Sequence, residues 1–165
     1  MTLFPADIEE MARRIVNDFT ARKLMVATAE SCTGGLIAGA LTEIAGSSAV
    51  VDRGFVTYTN EAKSDLLGVQ TEALRQYGAV SRETALQMVN GALYRSRASV
   101  AVAVTGIAGP GGGSNEKPVG LVHLAAKACN GDPLHREMRY GDIGRTEIRL
   151  ATVRTALEML VEAAS

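Results

Sequence analysis

Ser31, Cys32, Thr33, Gly34 and Gly35 stand between the apolar run Leu24–Thr28 and a stretch in which Leu36, Ile37 and Leu41 recur at helical spacing. A hydroxyl or thiol at a strand-to-helix turn is a candidate nucleophile, and the unpaired N–H groups expected there favour an anion or a developing oxyanion. The same residues also suit an ordinary Ser/Thr cap followed by a glycine turn. A serine nucleophile needs a base, and the histidines are poorly placed for it: His123 falls inside an apolar strand and His135 just after a turn. A lysine does this work in Ser/Lys hydrolases. The run Tyr58-Thr59-Asn60-Glu61-Ala62-Lys63 closes a second strand and opens a helix. It brings a phenol and an amine to the sheet end of Ser31 if the two strands are parallel neighbours. Against this stands the reading of Lys63 as a solvated helix charge and Tyr58 as a half-buried strand aromatic. Cys32 is an alternative nucleophile, although a small buried residue fits its position equally well.

A second glycine-rich segment, Thr105 to Ser114, carries five glycines in ten residues and follows the β-branched run Ser99–Val104. Such a loop can wrap a phosphate or ribose, or simply connect elements. Both segments follow strand ends, where open α/β sheets form their binding crevice. Neither is a dinucleotide fingerprint or a Walker A loop. Asp142-Ile143-Gly144-Arg145 places an arginine in the first turn of the last helix, with Asp142 as the expected cap. The macrodipole disfavours a cation there. Binding a phosphate or carboxylate would account for it, and so would a salt bridge to Glu147 or Glu43.

The elements that must position these groups are legible as an alternation. Asp7 and Glu10 form a capping-box-like pair ahead of a helix to about Lys23. Strands are expected at Leu24–Thr28, Ala49–Thr59, Ser99–Val104, Val119–Lys127 and Leu134–Tyr140, the last two joined as a hairpin through Asn130-Gly131-Asp132-Pro133. Asn60 is read as the cap of a short helix and Ser81 as the cap of a longer one, and Ser99–Val104 as a central strand. The fold expected is α/β, a three-layer α/β/α sandwich around a mixed sheet, in one domain over 1–165. A length of 165 residues, 47% hydrophobic and 21% charged, fits one globular core. A formal net charge of −1 argues against nucleic acid or a membrane surface as partner. Cys32 and Cys129 show neither zinc nor disulfide-framework spacing, so no metal is expected and a reducing, cytoplasmic setting fits. No signal peptide or apolar span is apparent. A homo-oligomer stays open.

Four segments, taken together, resemble a known family: Ala-Glu-Ser-Cys-Thr-Gly-Gly at 29–35, Gly-Phe-Val-Thr-Tyr-Thr-Asn-Glu-Ala-Lys at 54–63, Val-Thr-Gly-Ile-Ala-Gly-Pro-Gly-Gly-Gly at 104–113 and Gly-Asp-Ile-Gly-Arg at 141–145. They occur in the order of the CinA C-terminal domain family, and the resemblance covers nearly the whole chain. It implies a mixed five-stranded sheet, no cofactor, and a nicotinamide-nucleotide amidohydrolase converting nicotinamide mononucleotide and water to nicotinate mononucleotide and ammonia. It further implies Ser31 as nucleophile, Lys63 as its base and Tyr58 as proton relay or oxyanion partner. Thr33, Gly34, Gly35, Ser48, Thr105, Gly106, Gly109, Gly112 and Arg145 become substrate-contact candidates. The oxyanion is expected on the amides at Gly34 and Gly35, and the phosphate on Arg145. Longer members of the family carry an additional N-terminal domain. Some members are described only as competence-damage-inducible, so a nucleotide-binding accessory protein without chemistry is the alternative, and an amidohydrolase of another small amide a third reading.

Overall fold

The computed structural model describes residues 1–165. Five strands, β1 (Val26–Glu30), β2 (Val51–Val56), β3 (Val100–Gly106), β4 (Leu121–Ala128) and β5 (Leu134–Arg139), form one sheet in the order β2-β1-β3-β4-β5. β1 runs parallel to both β2 and β3, whereas β4 is antiparallel to β3 and to β5. The sheet is therefore mixed, with β3 at its centre.

Side-chain alternation sorts two cores onto the two faces. Val26, Val100, Val102, Val104, Val122 and Leu124 meet α1 (Ala6–Arg22), α2 (Leu36–Thr42) and α6 (Arg145–Ala163) on one side. Ala27, Ala29, Ala101, Ala103 and Ala125 face α3 (Asn60–Leu67), α4 (Thr71–Tyr77) and α5 (Arg82–Tyr94) on the other. The alanines let α5 lie close against the sheet. α3 comes equally close to α5, since a Cβ on Gly91 would stand 1.9 Å from the Leu67 carbonyl oxygen.

The structure moves several sequence-derived boundaries. β2 is shorter than expected because Ser47–Ala49 form a turn of 3₁₀ helix that enters the strand. Thr59, not Asn60, caps α3, its hydroxyl accepting from Ala62 N at 3.0 Å. Ser81 caps α5 as expected, accepting from Thr84 N at 3.1 Å. Asp7 does not cap α1, whose N-cap position is Pro5; its carboxylate instead pairs with Arg154 of α6. Asp142 does not cap α6 either: Gly144, with φ +98°, takes that place without a side-chain bond. A positive φ is open to glycine at little cost, so the chain turns into α6 there.

Candidate active site

Parallel pairing aligns the C-terminal ends of β1, β2 and β3 on one sheet edge, with Glu30 level with Val56 and Val104. Ser31 follows Glu30, Thr57 and Tyr58 follow Val56, and the glycine loop follows Gly106. The Ser31 and Lys63 candidates therefore meet. Lys63 Nζ lies 3.1 Å from Ser31 Oγ, 3.1 Å from the Thr57 carbonyl and 3.4 Å from the Tyr58 carbonyl. Lys63 is only 1% exposed and has no acidic partner within ion-pair distance, so the reading of a solvated helix charge does not hold. Burial pushes its ammonium below the ordinary lysine value, with the Cys32 thiol acting in the opposite sense. In the neutral amine, two N–H bonds go to the two carbonyls and leave the lone pair for the serine O–H.

Cys32 is set aside as a nucleophile by its surroundings. Burial, and then the charge of Glu30, pushes its thiol up to about 12. A thiol that stays protonated is a weak nucleophile.

The turn carrying Ser31 is held by two residues that sequence reasoning missed. Glu30 is fully buried and turns under α2, where its carboxylate accepts from Thr33 Oγ1 at 2.6 Å, Ile37 N at 2.9 Å and Ala38 N at 3.1 Å. Arg149, half-buried on α6, donates from Nε to the Cys32 carbonyl at 3.0 Å and from Nη2 to the Thr33 carbonyl at 3.1 Å. Two expectations change accordingly. The first amides of α2 are occupied by the protein's own anion, so they are not open to a ligand. The Gly34 N–H donates to the Ser31 carbonyl at 2.9 Å and is unavailable to an oxyanion, whereas the Gly35 N–H has no partner in the chain. Gly34 (φ +58°) and Gly35 (φ +103°) instead supply the left-handed backbone that leads into α2.

The other candidates divide. Arg145 opens α6 and reaches across the edge: Nη1 donates to the Gly109 carbonyl at 2.7 Å and Nη2 to the Tyr58 phenol at 2.9 Å. It forms no salt bridge with Glu147 or Glu43. Tyr58 is 57% exposed; its carbonyl, not its phenol, touches the Lys63 amine. Thr33 spends its hydroxyl on Glu30, and Thr105 spends its own on the Ala79 carbonyl at 2.7 Å. Gly106 is required by packing, since a Cβ there would stand 2.6 Å from Val122 Cγ2. Gly112 lines a cavity of about 580 Å³ with Pro110, Asn115, Arg139 and Asp142, along the edge from Ser31. Ser48 is not brought to the site. It sits exposed in the turn before β2, at the opposite sheet edge, a strand length of about 13 Å away at about 3.3 Å per residue. The two histidines bond to each other, His123 Nδ1 to His135 Nε2 at 2.9 Å. No three His, Cys, Asp or Glu side chains converge at metal-holding spacing, and no helix is long and apolar enough to cross a membrane.

Fold and site together define the class: a three-layer α/β/α domain on a mixed five-stranded sheet, with a serine and a buried lysine in contact at the edge where its parallel strands end. The chain belongs to the CinA C-terminal domain family, whose profile matches residues 8–164. It is 46% identical over 156 residues to the nicotinamide-nucleotide amidohydrolase PncC of Escherichia coli K12, covering 94% of this chain and 93% of that one. It is also 46% identical over 159 residues to a putative competence-damage inducible protein of Caldicellulosiruptor bescii, covering 96% of this chain but 38% of the relative. Among solved structures, the competence/damage inducible protein CihA from Agrobacterium tumefaciens matches with a TM-score of 0.99 and 80% identity over 100% of both chains.

Proposed function

We propose that this chain is a nicotinamide-nucleotide amidohydrolase, converting nicotinamide mononucleotide and water to nicotinate mononucleotide and ammonia by serine catalysis with a lysine base. The observation that carries the chemistry is the 3.1 Å contact between Ser31 Oγ and a buried Lys63 amine without an acidic partner. The substrate class rests on the likeness to PncC, which spans nearly all of both chains.

In this reading Lys63 takes the Ser31 proton as Oγ bonds to the carboxamide carbon, and the carbonyl becomes an oxyanion held by backbone N–H groups. The Lys63 ammonium returns the proton to the amide nitrogen, the C–N bond breaks and ammonia leaves an ester on Ser31. Water, deprotonated by the same amine, attacks the ester, and its C–Oγ bond breaks to release nicotinate mononucleotide and restore the serine. The positive pyridinium ring withdraws electrons from the carboxamide and eases attack. Arg145, bridging Tyr58 and Gly109 without a carboxylate partner, takes the 5′-phosphate, and Gly109 and Gly112 line the path of the ribose.

The test is ammonia release from nicotinamide mononucleotide by the pure protein. Ser31→Ala should lower the rate by ~10³-fold or more with the fold intact. An alanine variant with most of the wild-type rate would remove Ser31 as nucleophile. A wild-type protein that binds the nucleotide and releases no ammonia would replace the enzyme with a nucleotide-binding accessory protein.

A further inference from the structure

We propose that Arg149 is a positioning residue for the oxyanion site, acting through the Cys32–Thr33 peptide. The inference rests on the amidohydrolase reading above and adds to it which amides meet the oxyanion and what aims them.

In a trans peptide the C=O and the following N–H point in opposite directions. The Ser31 carbonyl is turned back to accept from Gly34 N at 2.9 Å, so the Cys32 N–H on the same peptide faces the other way. The Cys32 carbonyl accepts from Arg149 Nε at 3.0 Å, so the Thr33 N–H faces away from Arg149. Neither the Cys32 nor the Thr33 N–H donates to any group of the chain, whereas the Ser31, Gly34 and Leu36 amides are engaged; the Gly35 N–H is also free but stands four residues from Ser31, beyond the engaged Gly34 amide. Cys32 and Thr33 thus offer two adjacent, unoccupied donors immediately after the nucleophile. The N–H of the residue after a nucleophilic serine is a recurrent oxyanion donor in hydrolases.

Of the two peptides, the first is fixed by the turn's own hydrogen bond, and the second has no backbone partner for its carbonyl. Arg149 is that partner, and its second bond, from Nη2 to the Thr33 carbonyl at 3.1 Å, fixes the guanidinium plane against the turn. A cation on the carbonyl also polarises the peptide, which makes the Thr33 N–H a stronger donor. Glu30 holds the same turn through Thr33 Oγ1 and the amides of Ile37 and Ala38. The turn is thereby held by two charged side chains, while the Cys32 and Thr33 amides beside Ser31 keep no partner in the chain. Lysine cannot reproduce the contact, because a single ammonium lacks the planar fork that reaches both carbonyls.

The experiment compares wild type, Arg149→Lys and Arg149→Met in the full chain, with nicotinamide mononucleotide as substrate and a fluorophosphonate as a second probe that reacts with activated serines. Expected are a fall in kcat of about 10- to 100-fold in both variants, larger for methionine, with KM within about threefold. The pH midpoint of kcat/KM should stay where it is, because the Lys63 contacts are untouched. Phosphonylation of Ser31 should slow in parallel with kcat. A kcat within about twofold of wild type, an effect confined to KM, or loss of cooperative unfolding in both variants would overturn the assignment, the last by making the guanidinium a fold element. Should wild type release no ammonia while its Ser31 still reacts with the fluorophosphonate and Arg149→Lys slows that reaction, the substrate reading fails and the role of Arg149 stands.

Discussion

Thr33 separates two accounts of the nucleophile turn, and a pair of substitutions decides between them. It is wholly buried, and its hydroxyl donates to Glu30 Oε1 at 2.6 Å. Thr33→Val keeps the volume and removes the donor, leaving the carboxylate with only the Ile37 and Ala38 amides. A hydrogen bond to a charged group contributes about 1.5 to 3 kcal/mol, so a loss near 2 kcal/mol is expected. In a domain of this size that lowers Tm by about 4 to 8 °C. Thr33→Ser keeps the hydroxyl and deletes one methyl, which costs about 1 kcal/mol. The expected order of stability is wild type, then serine, then valine, measured by urea unfolding and thermal melts. Packing alone would reverse the last two. A double-mutant cycle with Glu30→Gln should show a coupling of about 1 kcal/mol or more, since the two groups share one hydrogen bond. KM for the nucleotide should move little. A Thr33→Val protein within about 0.5 kcal/mol of wild type but with a raised KM would refute this reasoning and make the hydroxyl a substrate ligand.

Two further outcomes follow from the charges at the sheet edge. Burial lowers the Lys63 ammonium below its usual value, so kcat/KM should rise with pH through an ionisation below that of free lysine. Between the folded and unfolded values the unfolded chain binds more protons, so this group's contribution to stability is present above the unfolded value and lost as pH falls through the folded one. The stability of Lys63→Met relative to wild type, followed by urea unfolding, should therefore decline as pH rises toward the ordinary lysine range, and an increase would contradict the burial account. Arg145→Ala should raise KM for nicotinamide mononucleotide far more than for the riboside that lacks the phosphate, and equal effects would remove the phosphate role.

Much of the site was legible because strand direction does most of the positioning. Once Leu24–Thr28 and the run ending at Thr59 are read as parallel neighbours, Ser31 and Lys63 must share an edge, and the structure places their side chains in contact. Glu30 was not legible. A glutamate at the end of an apolar run reads as the first solvated residue of a loop, and only the tertiary path of α2 shows three donors converging on it. Arg149 left a fainter signal: it lies four residues after Arg145, and like charges at that spacing repel by about 0.2 to 0.5 kcal/mol. Two arginines tolerated on one face imply separate partners, which prove to be main-chain carbonyls of the two loops. Ser48 shows the opposite failure, for a serine in a glycine turn looks alike at either sheet edge. Asp142 fails for a similar reason: it has the chemistry of a cap, but a glycine at positive φ lies between it and α6.

On the proposed mechanism, the placement of Glu30 also explains how Lys63 can act as a base on a serine whose sequence neighbour is a buried acid. Glu30 and Ser31 are adjacent in sequence, yet the glutamate turns to the α2 side of the sheet while Lys63, one turn before Leu67 of the second core, comes from the α3 and α5 side. The strand layer stands between them. Glu30 accordingly acts on the Cys32 thiol but is not among the influences on Lys63, where burial dominates. Were the carboxylate on the lysine's side, its charge would favour the ammonium and undo the effect of burial. The turn needs an anion to anchor α2 and Thr33, and the base needs to be free of one. A nucleophile placed at the end of a strand, where consecutive side chains diverge to opposite faces, meets both requirements within two residues.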